Sequence, residues 1–196
     1  MARHPDGGTR TFIEQKRRAQ LIDVTIAMVA EHGYAGTSLS RIAGGAGITK
    51  AAVLYHFPTK DAVVAAAYQH VLTALVTRVA AAVEAAPATD GPAAYVRTMI
   101  AHLHEHPEHT RMLTEALTST ETQDQGSSGR WHALAQIVAA ARAARGLDEH
   151  ADLRTAAIIV GGAIDALVGE RLRDPAYDTI TAAEELVGMI ERTLLT

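Results

Sequence analysis

The sequence contains no cysteine. Disulfides, thiolate nucleophiles and cysteine-ligated zinc sites are therefore excluded. Aromatic residues are scarce, at 4% of 196 residues, so the enrichment in β-branched and aromatic residues that marks sheet proteins is missing. No uncharged apolar run reaches the roughly 20 residues that a membrane span needs. The stretch read as nearest to one, Ala156–Val168, is interrupted by Asp165. The first ten residues, with Arg3, His4, Pro5, Gly7, Gly8 and Arg10, lack the apolar core of a secretory signal. The resulting expectation is a soluble, cytoplasmic protein with no membrane partner.

What is abundant is alanine. Hydrophobic residues make up 48% of the chain, and alanine dominates them. Alanine has the highest helix propensity of any residue, so the composition points to closely packed helices. The net charge of −4 hides an asymmetry. Residues 1–60 hold eight basic side chains (Arg3, Arg10, Lys16, Arg17, Arg18, Arg41, Lys50, Lys60) against four acidic ones (Asp6, Glu14, Asp23, Glu31). The acidic excess lies entirely in the remainder. A basic head on an acidic body suits a polyanion-binding module attached to a part that does not bind polyanions.

Periodicity places the elements. Residues 1–10 read as a flexible basic arm. From about Gln15 to His32, Ile22, Ile26 and Val29 recur at helical spacing, and Gly33 is a stop signal. Thr37 or Ser38 can cap a short second helix running to Gly44 or Ala46. Gly47 makes a turn, Thr49 caps a third helix, and Pro58-Thr59 precedes a fourth over about 60–86. Further helices are expected over roughly 92–105, 107–119, 130–145, 151–172 and 179–195, with the polar stretch Thr120–Gly129 as a flexible loop. The fold class is thus all-α, with about nine helices, in a short three-helix segment over 11–58 followed by a longer helical body over 59–196.

The strongest local signal lies between Ser38 and Phe57. Ile42-Ala43 is followed by Gly47, Ile48 and then Val53. This spacing fits a helix-turn-helix: a small residue lets two helices cross closely, a glycine turns between them, and flanking aliphatic residues form a shared core. The second helix of such a unit meets the major groove of DNA with its N-terminal end.

The segments Ala30-Glu31-His32-Gly33-Tyr34, Thr37-Ser38, Ile42-Ala43, Ala46-Gly47-Ile48-Thr49-Lys50 and His56-Phe57-Pro58-Thr59-Lys60-Asp61 resemble the N-terminal domain of TetR-family (tetracycline-repressor-like) transcription regulators. The resemblance is specific over about residues 15–65. The join His106-Pro107-Glu108, with Arg111 and Glu115, resembles the family's fifth-to-sixth helix turn. Two features depart from the pattern. Leu54 stands where most members have tyrosine, with Tyr55 one residue later, and Gly44-Gly45 lies inside the second helix. From chemistry and resemblance together, Thr37, Thr49, His56 and Lys60 are candidates for phosphate contacts. Lys50, Ala51, Ala52 and Tyr55 are candidates for groove contacts, and Arg41 for either.

The resemblance further implies that 11–58 are the DNA-binding domain and 59–196 the effector-binding and dimerisation domain of a repressor that binds a palindromic operator as a homodimer and is released by a small-molecule effector. The expected interface residues are Ile158, Gly161, Gly162, Asp165, Leu186, Met189 and Ile190, from the last two helices. The expected effector-lining residues are Met99, His102, His106, Met112 and Trp131. No cofactor is expected. His102 and His106, four residues apart with His109 close by, also admit an alternative in which the histidines bind a divalent metal, either in a metal-responsive regulator or in a helical-bundle metalloenzyme. Against an enzyme stands the absence of paired carboxylate–histidine repeats: Glu105 and Glu108 are too sparse, and no second copy occurs. A helical adaptor that binds only protein is disfavoured by the basic head.

Overall fold

The computed structural model describes residues 12–118, 123–147 and 153–196; the expected basic arm lies outside them. Among the described residues there are nine helices and no strand. They are α1 (Phe12–Gly36), α2 (Leu39–Gly45), α3 (Lys50–His56), α4 (Lys60–Ala85), α5 (Gly91–Glu105), α6 (Pro107–Thr118), α7 (Gln123–Ala144), α8 (Leu153–Arg173) and α9 (Thr179–Leu194). The chain forms two compact units, Met1–His70 and Val71–Thr196. The division falls inside α4 and not at its start. The reason is packing: Val63 belongs to the first core, with Ala62 and Ala66 against it.

In the first unit, α1 buries Leu21, Thr25, Ile26 and Val29, and its helical geometry breaks at Gly33, where φ is 68°. Ser38 caps α2, accepting from the Arg41 N–H. At the other end of α2 the Ile48 N–H bonds the Ala43 carbonyl at 3.0 Å and the Gly47 N–H bonds the Gly44 carbonyl at 3.1 Å. With Gly47 at φ +66°, this is the Schellman closure, which satisfies the last carbonyls of a helix by a left-handed residue after its cap. Leu21, Ile42, Ala43, Ala46, Val53, Phe57 and Val63 form the resulting core. The second of the two α2 glycines has a packing reason: a Cβ on Gly45 would stand 2.9 Å from the Val24 side chain of α1.

In the second unit, α5 packs against α7, α8 and α9, and α7 against α8. The core is built from Leu75, Val96, Ile100, Leu134, Val138, Val160, Ile164, Leu186 and Ile190 among others. Ion pairs link the helices at the surface: Arg78–Glu105, Arg97–Glu184 and Arg130–Asp165. Exposed pairs of this kind contribute about 0–1 kcal/mol each. Arg145 is better provided, reaching both Glu191 carboxylate oxygens and the carbonyls of Thr89 and Leu195.

Two expectations need correcting. Helix α7 starts at Gln123, so most of the expected 120–129 loop is helical. Once later turns are anchored by packing, each added residue extends the helix at little cost, and tertiary anchoring overrides the poor propensity of Gly126 and Gly129. The longest apolar segment is α4 rather than 156–168. By length and composition α4 alone, among the described residues, would suffice to cross a membrane. Its apolarity comes from many alanines, and it supplies Val63 to one core and Leu75 and Val79 to the other.

Gly161 was expected at a surface where another subunit approaches. Instead it is buried beneath the indole of Trp131: a Cβ there would lie 1.8 Å from Trp131 Cζ3. Gly161→Ala should therefore cost about 1–3 kcal/mol, the range for forcing extra volume into a packed site. Gly162→Ala, with nothing within 4 Å of its Cβ position, should be neutral or gain up to about 1 kcal/mol in helix propensity. Denaturant melts of the two variants check the contrast.

Candidate nucleic-acid interface

The second helix of the helix-turn-helix, α3, is capped by Thr49, whose side chain accepts the Ala52 N–H at 3.2 Å. A hydroxyl that accepts in this way keeps its own proton for donation. Val53 and Phe57 face inward. Thr49, Lys50, Ala51 and Tyr55 are exposed, Ala52 and His56 half-buried. Leu54 is 40% exposed and Tyr55 74% exposed, so Tyr55, not the residue in the usual tyrosine position, presents the phenol.

The flanking cations hold this framework while remaining at its edge. Arg18 of α1 stacks 3.9 Å over the Phe57 ring and donates to the His56 carbonyl. Arg41 donates to the Gly36 carbonyl at 2.7 Å. Lys60 lies 3.7 Å over the Tyr34 ring and donates to the Tyr34 carbonyl at 3.1 Å. The Tyr34 hydroxyl in turn donates to Asp61. These contacts fix where Arg41 and Lys60 stand without consuming all of their donors.

Thr37 corrects the expected set. It is 3% exposed, its hydroxyl donates to the Gly33 carbonyl at 2.8 Å and its N–H bonds the Tyr34 carbonyl. With both donors satisfied internally it has none left for a phosphate. It instead locks the turn that follows the break at Gly33. Conversely, Glu14 was not singled out in the sequence, yet its carboxylate accepts the Tyr55 hydroxyl at 2.9 Å. That bond and the adjacent negative charge hold the phenol pKa above its ordinary value. Glu14, Arg18, Tyr55 and His56 line a shallow cleft. No spacing rule connects residues 14 and 55, so only the folded chain reveals the pair.

The second-unit candidates separate in the same way. Met112 is buried and Met99 and Trp131 pack partly buried against the core. His102 is 4% exposed, with no hydrogen-bond partner for either ring nitrogen. Its ring lies 4.6 Å from that of His106 and 5.9 Å from that of His109, and the His106 and His109 rings are stacked at 4.9 Å. The three expected histidines are thus together. His106 and His109 are stacked while His102 is tilted against both, and among the described residues no group of three His, Asp or Glu side chains is arranged to hold a metal ion. The metal alternative at His102, His106 and His109 is corrected on that ground.

Of the expected interface residues, Leu186 and Ile190 are buried in the chain's own core with Gly161. Asp165 makes a two-point bond to Arg130 of the same chain, at 2.9 and 3.1 Å. Ile158 and Met189 are 41% and 55% exposed, beside Ile159 at 66%, and Gly162 is exposed too.

Comparison with known proteins gives three findings. The profile of the family described as "Bacterial regulatory proteins, tetR family" matches residues 21–67. The chain is 40% identical over 85 residues to the HTH-type transcriptional regulator BetI of Burkholderia thailandensis, an alignment covering 43% of each chain; the match thus spans less than half the length of this curated relative. Among solved structures, the fold is shared with the fatty acid degradation regulator FadR from Bacillus halodurans, with a TM-score of 0.80 and 18% identity over 95% of this chain and 98% of that one. It is shared also with FadR from Bacillus subtilis in complex with stearoyl-CoA, with a TM-score of 0.77 and 20% identity over 88% and 96% of the two chains.

Burial without partners, together with His106, Arg78 and His109 nearby, lowers the His102 pKa to about 4, with Glu105 opposing weakly. The unfolded imidazole takes up its proton near pH 6.5. Between these values the unfolded chain binds more protons, so stability is lost as pH falls from about 6.5 to about 4. The loss from this group should be on the order of 2–3 kcal/mol. Urea titrations at pH 7 and pH 4.5 should show it, and His102→Leu should remove that part of the pH dependence.

Proposed function

Because this chain belongs to the TetR family of bacterial regulatory proteins, we propose that it is a ligand-responsive transcriptional repressor. In this reading it is a cytoplasmic protein that binds a palindromic operator as a homodimer and leaves it when a small-molecule effector binds. It is not an enzyme. The observation that carries the reading is the helix-turn-helix itself, with its left-handed turn at Gly47 and the exposed row Thr49, Lys50, Ala51 and Tyr55.

Each group at this face has a chemical task. Thr49, His56 and Lys60 contact phosphates, which sets register without reading sequence. Lys50 donates to a guanine edge, and the Ala51 and Ala52 methyls pack against a thymine methyl. Arg41 reaches backbone or base from α2. So short a reading helix covers only a half-site, and a two-fold dimer on two half-sites supplies the missing specificity. The exposed apolar side chains of Ile158, Ile159 and Met189, beside Gly162, are the surface proposed for that dimer. Exposed aliphatic side chains favour burial against a second copy.

The effector region is proposed around Met99, His102, His106, Met112 and Trp131 in the second unit. That a protein of the same fold was solved with stearoyl-CoA bound supports a small-molecule ligand here as a class. The effector acts only through its differential affinity for the DNA-bound and DNA-free states.

Selection from a pool of random DNA duplexes should return near-palindromic sites, and Lys50→Ala should weaken binding to them by about tenfold or more. Recovery of no palindrome would overturn the reading. Ile159→Asp combined with Met189→Asp should convert the dimer to monomer in sedimentation velocity while leaving the thermal melt of the fold in place. A variant that still sediments as a dimer would place the interface elsewhere.

A further inference from the structure

Glu14 lies in the first turn of α1 and Tyr55 on α3, and the phenol hydroxyl donates to the Glu14 carboxylate at 2.9 Å. Tyr55 is 74% exposed, so this bond is made at the surface and the hydroxyl is presented rather than packed away. Its ring stands edge-on to His56, at 5.0 Å and 84°, which further restrains its direction. A phenol has one proton and two acceptor lone pairs, and an ionised carboxylate has acceptors only. While the proton is directed at Glu14, the phenol oxygen offers only acceptor lone pairs outward.

The major-groove edges of the bases differ in this respect. Adenine N6 and cytosine N4 carry exocyclic amino donors, guanine presents O6 and N7 acceptors, and thymine presents O4. A phosphate oxygen is also an acceptor. We propose that Glu14 is a positioning residue that sets the base preference of Tyr55, so that the pair selects an adenine or cytosine amino edge and disfavours guanine, thymine and phosphate. The inference rests on the reading that α3 enters the major groove. It reverses the role of a lone tyrosine at this place, which would donate to a phosphate. The charge and hydrogen bond of Glu14 raise the phenol pKa, which keeps the proton where this role requires it.

The test uses the full chain and a random-sequence duplex pool with wild type, Tyr55→Phe and Glu14→Ala, followed by titration of the recovered site with each of the four base pairs at every position. Wild type should prefer A or C at one position of each half-site by about fivefold or more. Tyr55→Phe should flatten that position to within about twofold. Glu14→Ala, which frees the phenol proton, should move the same position toward G or T, or abolish its preference and leave the others unchanged. Tyr55 is exposed and Glu14 half-buried, and thermal melts verify that the variants fold. Identical preferences for wild type and Glu14→Ala would overturn the proposal, as would a wild-type choice of G or T at the position that Tyr55→Phe flattens. Those outcomes leave the repressor reading standing, whereas failure of wild type to select any sequence would overturn both.

Discussion

The left-handed backbone at Gly47 is the constraint on which the first unit depends. It lets two successive N–H groups, those of Gly47 and Ile48, return to the carbonyls of Gly44 and Ala43, closing α2 within a single turn. Only then does Thr49 fall in extended geometry as the cap of α3. A Cβ at residue 47 would place the backbone in a region that costs roughly 1 kcal/mol or more for ordinary residues. The inward direction of Val53 and Phe57, and hence the outward direction of Lys50, Ala51 and Tyr55, follows from this one dihedral angle.

Features that depend on short stretches of chain were legible in the sequence. The cap of α2 at one of Thr37 and Ser38, the cap at Thr49, a break of the helix at Gly33 (inside α1, which runs on to Gly36) and the turn at Gly47 are each signalled by a residue whose chemistry acts over three or four positions. The structure bears them out. What was not legible depends on which distant surface meets which. The hydroxyl of Thr37 has the right chemistry for a phosphate contact, and nothing nearby in sequence says that Gly33 takes its proton. Glu14 and Tyr55 are 41 residues apart. The loop expected before residue 130 failed for the same reason, since local propensity gave way to packing of the later turns of α7.

The last two helices show the same limit at a larger scale. Both are apolar on much of their circumference, and small residues interrupt α8. An apolar stripe does not state whether its partner is another helix of the same chain or a second copy. The structure divides the stripe: Val160, Gly161 and Ile164 of α8 and Leu186 and Ile190 of α9 belong to the internal core, while Ile158, Ile159 and Met189 stay outside it. Gly161 makes the difference concrete, because the absent Cβ accommodates the flat face of Trp131 rather than a neighbouring backbone.

The charge of the first unit also changes meaning once it is folded. Counted along the chain it is a basic head, and a basic head suggests binding by bulk attraction. In the structure three of its cations serve the framework: Arg18 on Phe57 and the His56 carbonyl, Arg41 on the Gly36 carbonyl, Lys60 on Tyr34. The exposed row of α3 is mostly uncharged, and a carboxylate, Glu14, stands among the groups beside it. Acidic charge near a polyanion weakens non-specific attraction, which is sequence-independent and depends on the number of phosphates neutralised. Placing it against Tyr55 therefore trades general affinity for discrimination. Such a face suits a protein that must find one site among many competing ones, where the ratio of specific to non-specific binding matters more than either affinity alone.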